Sequence, residues 1–148
     1  MLWVAGVLLV SCVDGESSRK LRIGFSQCTG GDAWRRQMLA AMEGELLFHP
    51  DLELLYKDAV GNTEQQIRDI EAYMKEGVDL LIVSPNEADP ITPVVEKAFR
   101  AGIPVVIVDR KTSSSLYTAY VGADNYEIGR LVGQYIGVLL EGKGKMIE

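Results

Sequence analysis

The stretch Ile103-Pro104-Val105-Val106-Ile107-Val108-Asp109-Arg110 decides how this chain folds. Its β-branched run has the length and composition of a short buried strand. It ends abruptly in an acid followed by a guanidinium. In a parallel α/β sheet the carboxyl ends of the strands face the ligand crevice. An Asp109-Arg110 pair there sets the acceptor oxygens of a carboxylate beside the fixed donor fork of an arginine. That combination suits a neutral polyol, whose hydroxyls each give and take a hydrogen bond.

Outward from this strand the chain alternates. Residues 21–26 read as a first strand, followed by a Gly/Thr/Asp loop. Asp32 can cap a helix running to about Phe48, with Met38, Leu39, Met42 and Leu46 on one face. His49-Pro50 ends it, and residues 52–57 form a second strand. Asn62 or Thr63 starts a second helix, in which Ile67, Ile70 and Met74 share a face and Gly77 terminates it. Residues 78–83, apolar after Asp79, predict a central strand. A helix over 90–100, ended by Gly102, leads into the strand over 104–108. Residues 117–121 read as a weaker edge strand, and 125–140 as a helix with a wide stripe including Ile128, Leu131, Val132 and Tyr135. After Gly142-Lys143-Gly144, residues 145–148 read as the beginning of a strand. The order predicts an α/β fold: a doubly wound parallel sheet with right-handed crossovers and helices on both faces.

Composition narrows the function. The chain has 148 residues, enough for about one domain, and 47% hydrophobic content supports a packed core. Its net charge of -6, with no basic run, argues against a nucleic-acid surface. A dinucleotide fold would place G-x-G-x-x-G after the first strand, and here that turn is Ser26-Gln27-Cys28-Thr29-Gly30-Gly31-Asp32. There is no phosphate-binding loop, no metal-ligand spacing and no C-x-x-C. A response-regulator receiver would need acids where this chain has Ser26-Gln27 and Ser84-Pro85. Nucleophilic catalysis would need a base near a Ser or Cys. The one histidine, His49, follows a helix C-terminus away from the loops in question. No catalytic set, metal site or cofactor is expected, and a binding module leads an enzyme.

The N-terminal run Met1-Leu2-Trp3-Val4-Ala5-Gly6-Val7-Leu8-Leu9-Val10 is shorter than the ~20 residues that span a bilayer and has the length of a signal-peptide core. Leu9-Val10-Ser11-Cys12 resembles a bacterial lipobox, in which Cys12 would be lipidated. No Lys or Arg precedes the run, so an ordinary secretion leader and an uncleaved anchor stand beside that reading. A Cys12–Cys28 disulfide is available only if Cys12 is not lipidated; otherwise Cys28 is a small packing residue.

Several markers in fixed order carry a resemblance. They are Ile23-Gly24-Phe25-Ser26-Gln27; Gly77-Val78-Asp79-Leu80-Leu81-Ile82-Val83-Ser84-Pro85; Gly102-Ile103-Pro104-Val105 with Asp109-Arg110; and Val121-Gly122-Ala123-Asp124-Asn125 with Gly129. From about Leu21 to Glu148 the chain resembles the periplasmic sugar-binding proteins of ribose type, which share a fold with the effector domain of LacI-type repressors. Gly24-Phe25-Ser26-Gln27 with Trp34-Arg35 looks especially like the galactofuranose-binding branch. The resemblance implies two hinged lobes with a monosaccharide between them: a leader and tether over 1–20, an N-terminal sugar-binding lobe over 21–124, and the truncated start of a second lobe over 125–148.

It also implies roles. Asp109 and Arg110 match the family's acid-arginine pair, a bidentate grip on adjacent sugar hydroxyls. Trp34 matches an aromatic that stacks on the sugar's apolar face. Arg35 matches the furanose branch where the ribose-type pattern has a second aromatic, which argues against ribose itself. Asp32 is a helix cap or a sugar contact; Gln27 and Asn86 are further strand-end candidates; Asp124 and Asn125 mark the hinge and a helix cap. The implied partners are the monosaccharide and either an ABC-transporter permease or a membrane sensor kinase, with no nucleic acid. The implied location is the periplasm or cell envelope, tethered through an N-terminal lipid or anchor. A sugar-acting enzyme on the same scaffold remains the alternative of another class.

Overall fold

The computed structural model describes residues 19–145. The leader, Cys12 and with it the Cys12–Cys28 pairing, most of the tether and nearly all of the strand expected over 145–148 lie outside the described residues.

The elements follow in the order β1 (Leu21–Gln27), α1 (Ala33–Leu46), β2 (Leu52–Asp58), α2 (Thr63–Glu76), β3 (Leu80–Ser84), α3 (Ala88–Arg100), β4 (Val105–Val108), β5 (Ala119–Val121) and α4 (Asn125–Leu139). The strands form one sheet in the order β2-β1-β3-β4-β5, parallel throughout. This is the doubly wound sheet that the alternation of elements predicts, with β3 central and β5 at the edge.

Period-2 alternation along β1 separates the two layers. Gly24 faces α2: a Cβ built there would lie 2.8 Å from the Tyr73 ring. Ile23 faces the other way and lines an apolar groove with Met42 and Leu46 of α1. The main core lies on the α2–α3 side, where Ile70, Tyr73, Leu81, Val83, Ile91, Val95, Val105 and Ile107 are buried. On the opposite side α1 buries no residue completely. The stripe of α4 likewise has no buried residue; Tyr126, Tyr135 and Val138 are among its exposed side chains.

Several boundaries move by one to three residues from the sequence expectation, each for a local reason. α1 stops at Leu46 because the amides of Leu47, Phe48 and His49 turn to the carbonyls of Gly44, Glu45 and Leu46, a tightened last turn. β3 starts at Leu80, since the Val78 amide is spent on capping α2 at the Tyr73 carbonyl beside left-handed Gly77. α3 starts at Ala88, and Pro90 sits in its first turn, where an amide would have no helical partner. Pro104 has no N–H for the ladder, so β4 begins at Val105 while the Pro104 carbonyl still accepts from Leu81.

Candidate functional site

The carboxyl ends of β1, β3 and β4 open onto the same edge of the sheet, and the site is assembled there. Asp32 caps α1: its carboxylate accepts from the Arg35 amide at 2.8 Å and pairs with Arg35 Nη1 at 2.6 Å. The Arg35 amide and guanidinium together hold the Asp32 carboxyl below the ordinary aspartate range. The same guanidinium reaches across the chain, with Nη2 donating to Asp109 Oδ2 at 2.8 Å. One arginine, its side chain only 12% exposed, thus bridges two carboxylates from the loops after β1 and β4.

Trp34, next to it on the first turn of α1, is 56% exposed. It borders a hollow of about 290 Å³ with Met38, Val108, Asp109 and Val121 among its walls. A second hollow of about 500 Å³ adjoins it, lined by Asp109, Arg110, Tyr120 and residues 122–126. The two share Asp109, Gly122, Ala123 and Asn125. An indole face, a charge-paired carboxylate and a guanidinium therefore border two hollows that share walls, the combination of apolar face and fixed polar groups that small ligands use.

The sequence-expected residues divide. Trp34, Arg35, Asp32 and Asp109 come together. Gln27 ends β1 on the same face as Ile23 and Phe25 and is fully buried; neither its Oε1 nor its Nε2 meets a partner among the described residues. Arg110 and Asp109, adjacent in sequence, diverge. Asp109 has a left-handed backbone, φ 67°, and Arg110 Nη1 donates to the Asn86 carbonyl at 2.9 Å. The Asn86 side chain turns the other way, its Nδ2 donating to Gly61 O and Thr63 Oγ1. Asp124 caps α4 by accepting from the Glu127 amide, and Asn125 is the first helical residue. Cys28 is buried, its Sγ 3.8 Å from Ser84 Oγ. His49 is exposed and pairs with Glu45. Among the described residues no group of three or more His, Cys, Asp or Glu is placed to hold a metal, and no helix is long and apolar enough to cross a membrane.

Sequence reasoning missed Gln66. It is fully buried on α2; its Nε2 donates to the Ser84 carbonyl and its Oε1 accepts from the Asn86 amide, both at 2.8 Å. This clamp fixes the turn after β3 that carries Asn86. The only sequence signal was a polar residue beside the apolar stripe of α2. Tyr120 was missed as well, beyond its place on an edge strand.

Residues 23–148 match the family model described as the periplasmic binding protein domain. The chain is 31% identical over 147 residues to the galactofuranose-binding protein of Escherichia coli (strain K12), covering 93% of this chain and 45% of that one. It is similar to the solved fructose-binding periplasmic domain of a hybrid two-component system, with TM-score 0.81 and 50% identity over 84% of this chain and 41% of the other. A further match is the periplasmic binding protein component of the arabinose ABC transporter from Shewanella sp. ANA-3, bound to α- and β-L-arabinofuranose. There the TM-score is 0.74 and the identity 33%, over 82% of this chain and 41% of the other. The chain spans about half the length of the curated relatives it matches.

Proposed function

The chain belongs to the periplasmic binding protein domain family, and from that premise we propose that it supplies the N-terminal lobe of a periplasmic receptor that closes around one monosaccharide. The observation that carries the reading is the Asp32–Arg35–Asp109 bridge beneath an exposed Trp34. The carboxylate and guanidinium grip hydroxyls, and the indole covers a C–H face of the ring. Arg110 and Gln27 supply further polar groups at the same edge, and Asn86 steadies Arg110 through its carbonyl. Asp124 and Asn125 mark the hinge, with 125–148 entering a second lobe that closes the site.

A furanose ring is favoured, since the galactofuranose-binding and arabinofuranose-bound relatives are named for one. Fructose is the first sugar to test, because the solved domain with 50% identity is fructose-binding. That same likeness favours signalling to a sensor kinase as the output; the arabinose transporter component favours delivery to an ABC permease as the second reading. The activity is binding without turnover, in keeping with relatives that are named for binding. An N-terminal leader, with Cys12 lipidated or the segment retained as an anchor, would tether the receptor at the membrane.

The test is calorimetry on the full-length protein with fructose, arabinose, galactose, ribose and glucose. One sugar should bind tightly, and Asp109→Ala should lose at least about 100-fold, as for a charge-assisted contact. No heat with any sugar from a folded protein would overturn the reading.

A further inference from the structure

Asp109 carries a side chain at φ 67°, a conformation that aspartate tolerates better than most residues but that still costs free energy, which the surroundings must offset. Both of its backbone polar groups are held, and both by β5. The Asp109 amide donates to the Val121 carbonyl at 3.0 Å. The Asp109 carbonyl accepts from the Tyr120 hydroxyl at 2.8 Å, with the Ala123 carbonyl a weaker second acceptor at 3.4 Å.

Tyr120 is itself well placed for this. Its ring packs against the core, and Lys111 Nζ lies 4.7 Å from the ring centroid. Gly122 leaves the room the hydroxyl needs: a Cβ there would fall 2.2 Å from Tyr120 Oη and 3.0 Å from the Asp109 carbonyl oxygen. The glycine is required here by close approach, since any side chain would push the phenol off the carbonyl.

We propose that Tyr120 is a positioning residue for sugar binding, acting through Asp109 and made possible by Gly122. The proposal rests on the monosaccharide reading above. With the hydroxyl in place, the Asp109 Cα–Cβ bond points its carboxylate at Arg35 and the hollows. Without it, the backbone relaxes toward negative φ, the carboxylate swings away from Arg35, and the grip on the sugar loosens. The Tyr120 ring borders the larger hollow, but its hydroxyl is spent on the Asp109 carbonyl, so the hydroxyl acts on the ligand through where it puts that carboxylate.

The experiment is a mutant cycle on the full-length protein, with fructose or whichever sugar of the panel binds as the probe. Tyr120→Phe keeps the ring and its packing and removes only the hydroxyl. It should lower affinity about tenfold, since the carboxylate then keeps its binding position in only a fraction of the molecules, with no more than a few degrees lost from the thermal midpoint. Asn tolerates the left-handed backbone, so Asp109→Asn keeps the fold and weak binding. In that background Tyr120→Phe should cost little more, because the residue acts through the carboxylate that is already lost. Gly122→Ala should reproduce Tyr120→Phe and should not add to it.

Unchanged affinity in Tyr120→Phe would overturn the proposal while leaving the sugar reading intact. Full additivity with Asp109→Asn would also overturn it, by making Tyr120 a direct contact. Failure of the wild type to bind any sugar would overturn both.

Discussion

Arg35 Nη2 stands 2.8 Å from Asp109 Oδ2, joining positions 74 residues apart in the chain. The same guanidinium holds Asp32 at 2.6 Å through its other terminal nitrogen. The rigid planar fork serves the two carboxylates from fixed directions at once.

Arg35→Lys replaces two separated donor nitrogens with a single one, which cannot hold both carboxylates at the positions the fork fixes. Sugar affinity should fall by about tenfold to 100-fold, roughly 1.4 to 2.7 kcal/mol. Calorimetry on the variant checks it. A rise in affinity would instead mean that Arg35 competes with the sugar for Asp109.

The Asp32 carboxyl is lowered on folding, first by the Arg35 amide and then by its guanidinium. A lowered folded value means that the ionised form favours the folded state. That stabilisation is fully present above the ordinary aspartate value of about 4 and is lost as the pH falls through the lower folded value. Asp32→Asn keeps a capping oxygen and removes the titration. Urea unfolding from neutral pH downward should show wild type more stable at neutral pH, with the gap closing in acid. A gap independent of pH would refute the linkage.

Trp34 is half open to solvent and borders the hollow above Asp109. Sugar binding with closure should cover the indole and shift its fluorescence to shorter wavelength. Trp34→Ala should lose about tenfold to 100-fold in affinity, and Trp34→Phe less, since an aromatic face is retained. Emission unchanged at saturating sugar would place the ligand elsewhere.

Gln66 satisfies the Ser84 carbonyl and the Asn86 amide from within the core. Gln66→Leu is close in size but leaves both backbone groups without that partner. It should cost about 2 to 3 kcal/mol in urea unfolding. A loss below roughly 0.5 kcal/mol would show that other groups replace the clamp.

The fold was legible because its signals are local. Apolar β-branched runs mark β3 and β4, Asn62 and Asp32 cap their helices, and Gly77 takes the left-handed position. The site was legible only in part. Trp34 and Arg35 stand on a helix start that the sequence locates, and Asp109 at a strand end. Their union through one guanidinium is a tertiary fact with no trace in spacing. The adjacency of Asp109 and Arg110 suggested a single grip. A left-handed backbone at Asp109 instead sends the two side chains to different partners, Arg35 and the Asn86 carbonyl. Gln66 and Tyr73 drew no notice in the sequence, yet both are fully buried, with Gln66 Nε2 donating to the Ser84 carbonyl and the Tyr73 hydroxyl to the Phe25 carbonyl. Polar groups buried for backbone satisfaction carry no hydropathy signature.

The backbone at Asp109 also sets the alphabet available to that position. A φ of 67° passes glycine, asparagine and aspartate through a steric filter and resists most other side chains. Pairing with Arg35 applies a second, independent filter for negative charge. Glutamate passes the second and fails the first; asparagine passes the first and fails the second. Their intersection holds a single letter, so neither filter can be relaxed by substitution without giving up shape or charge.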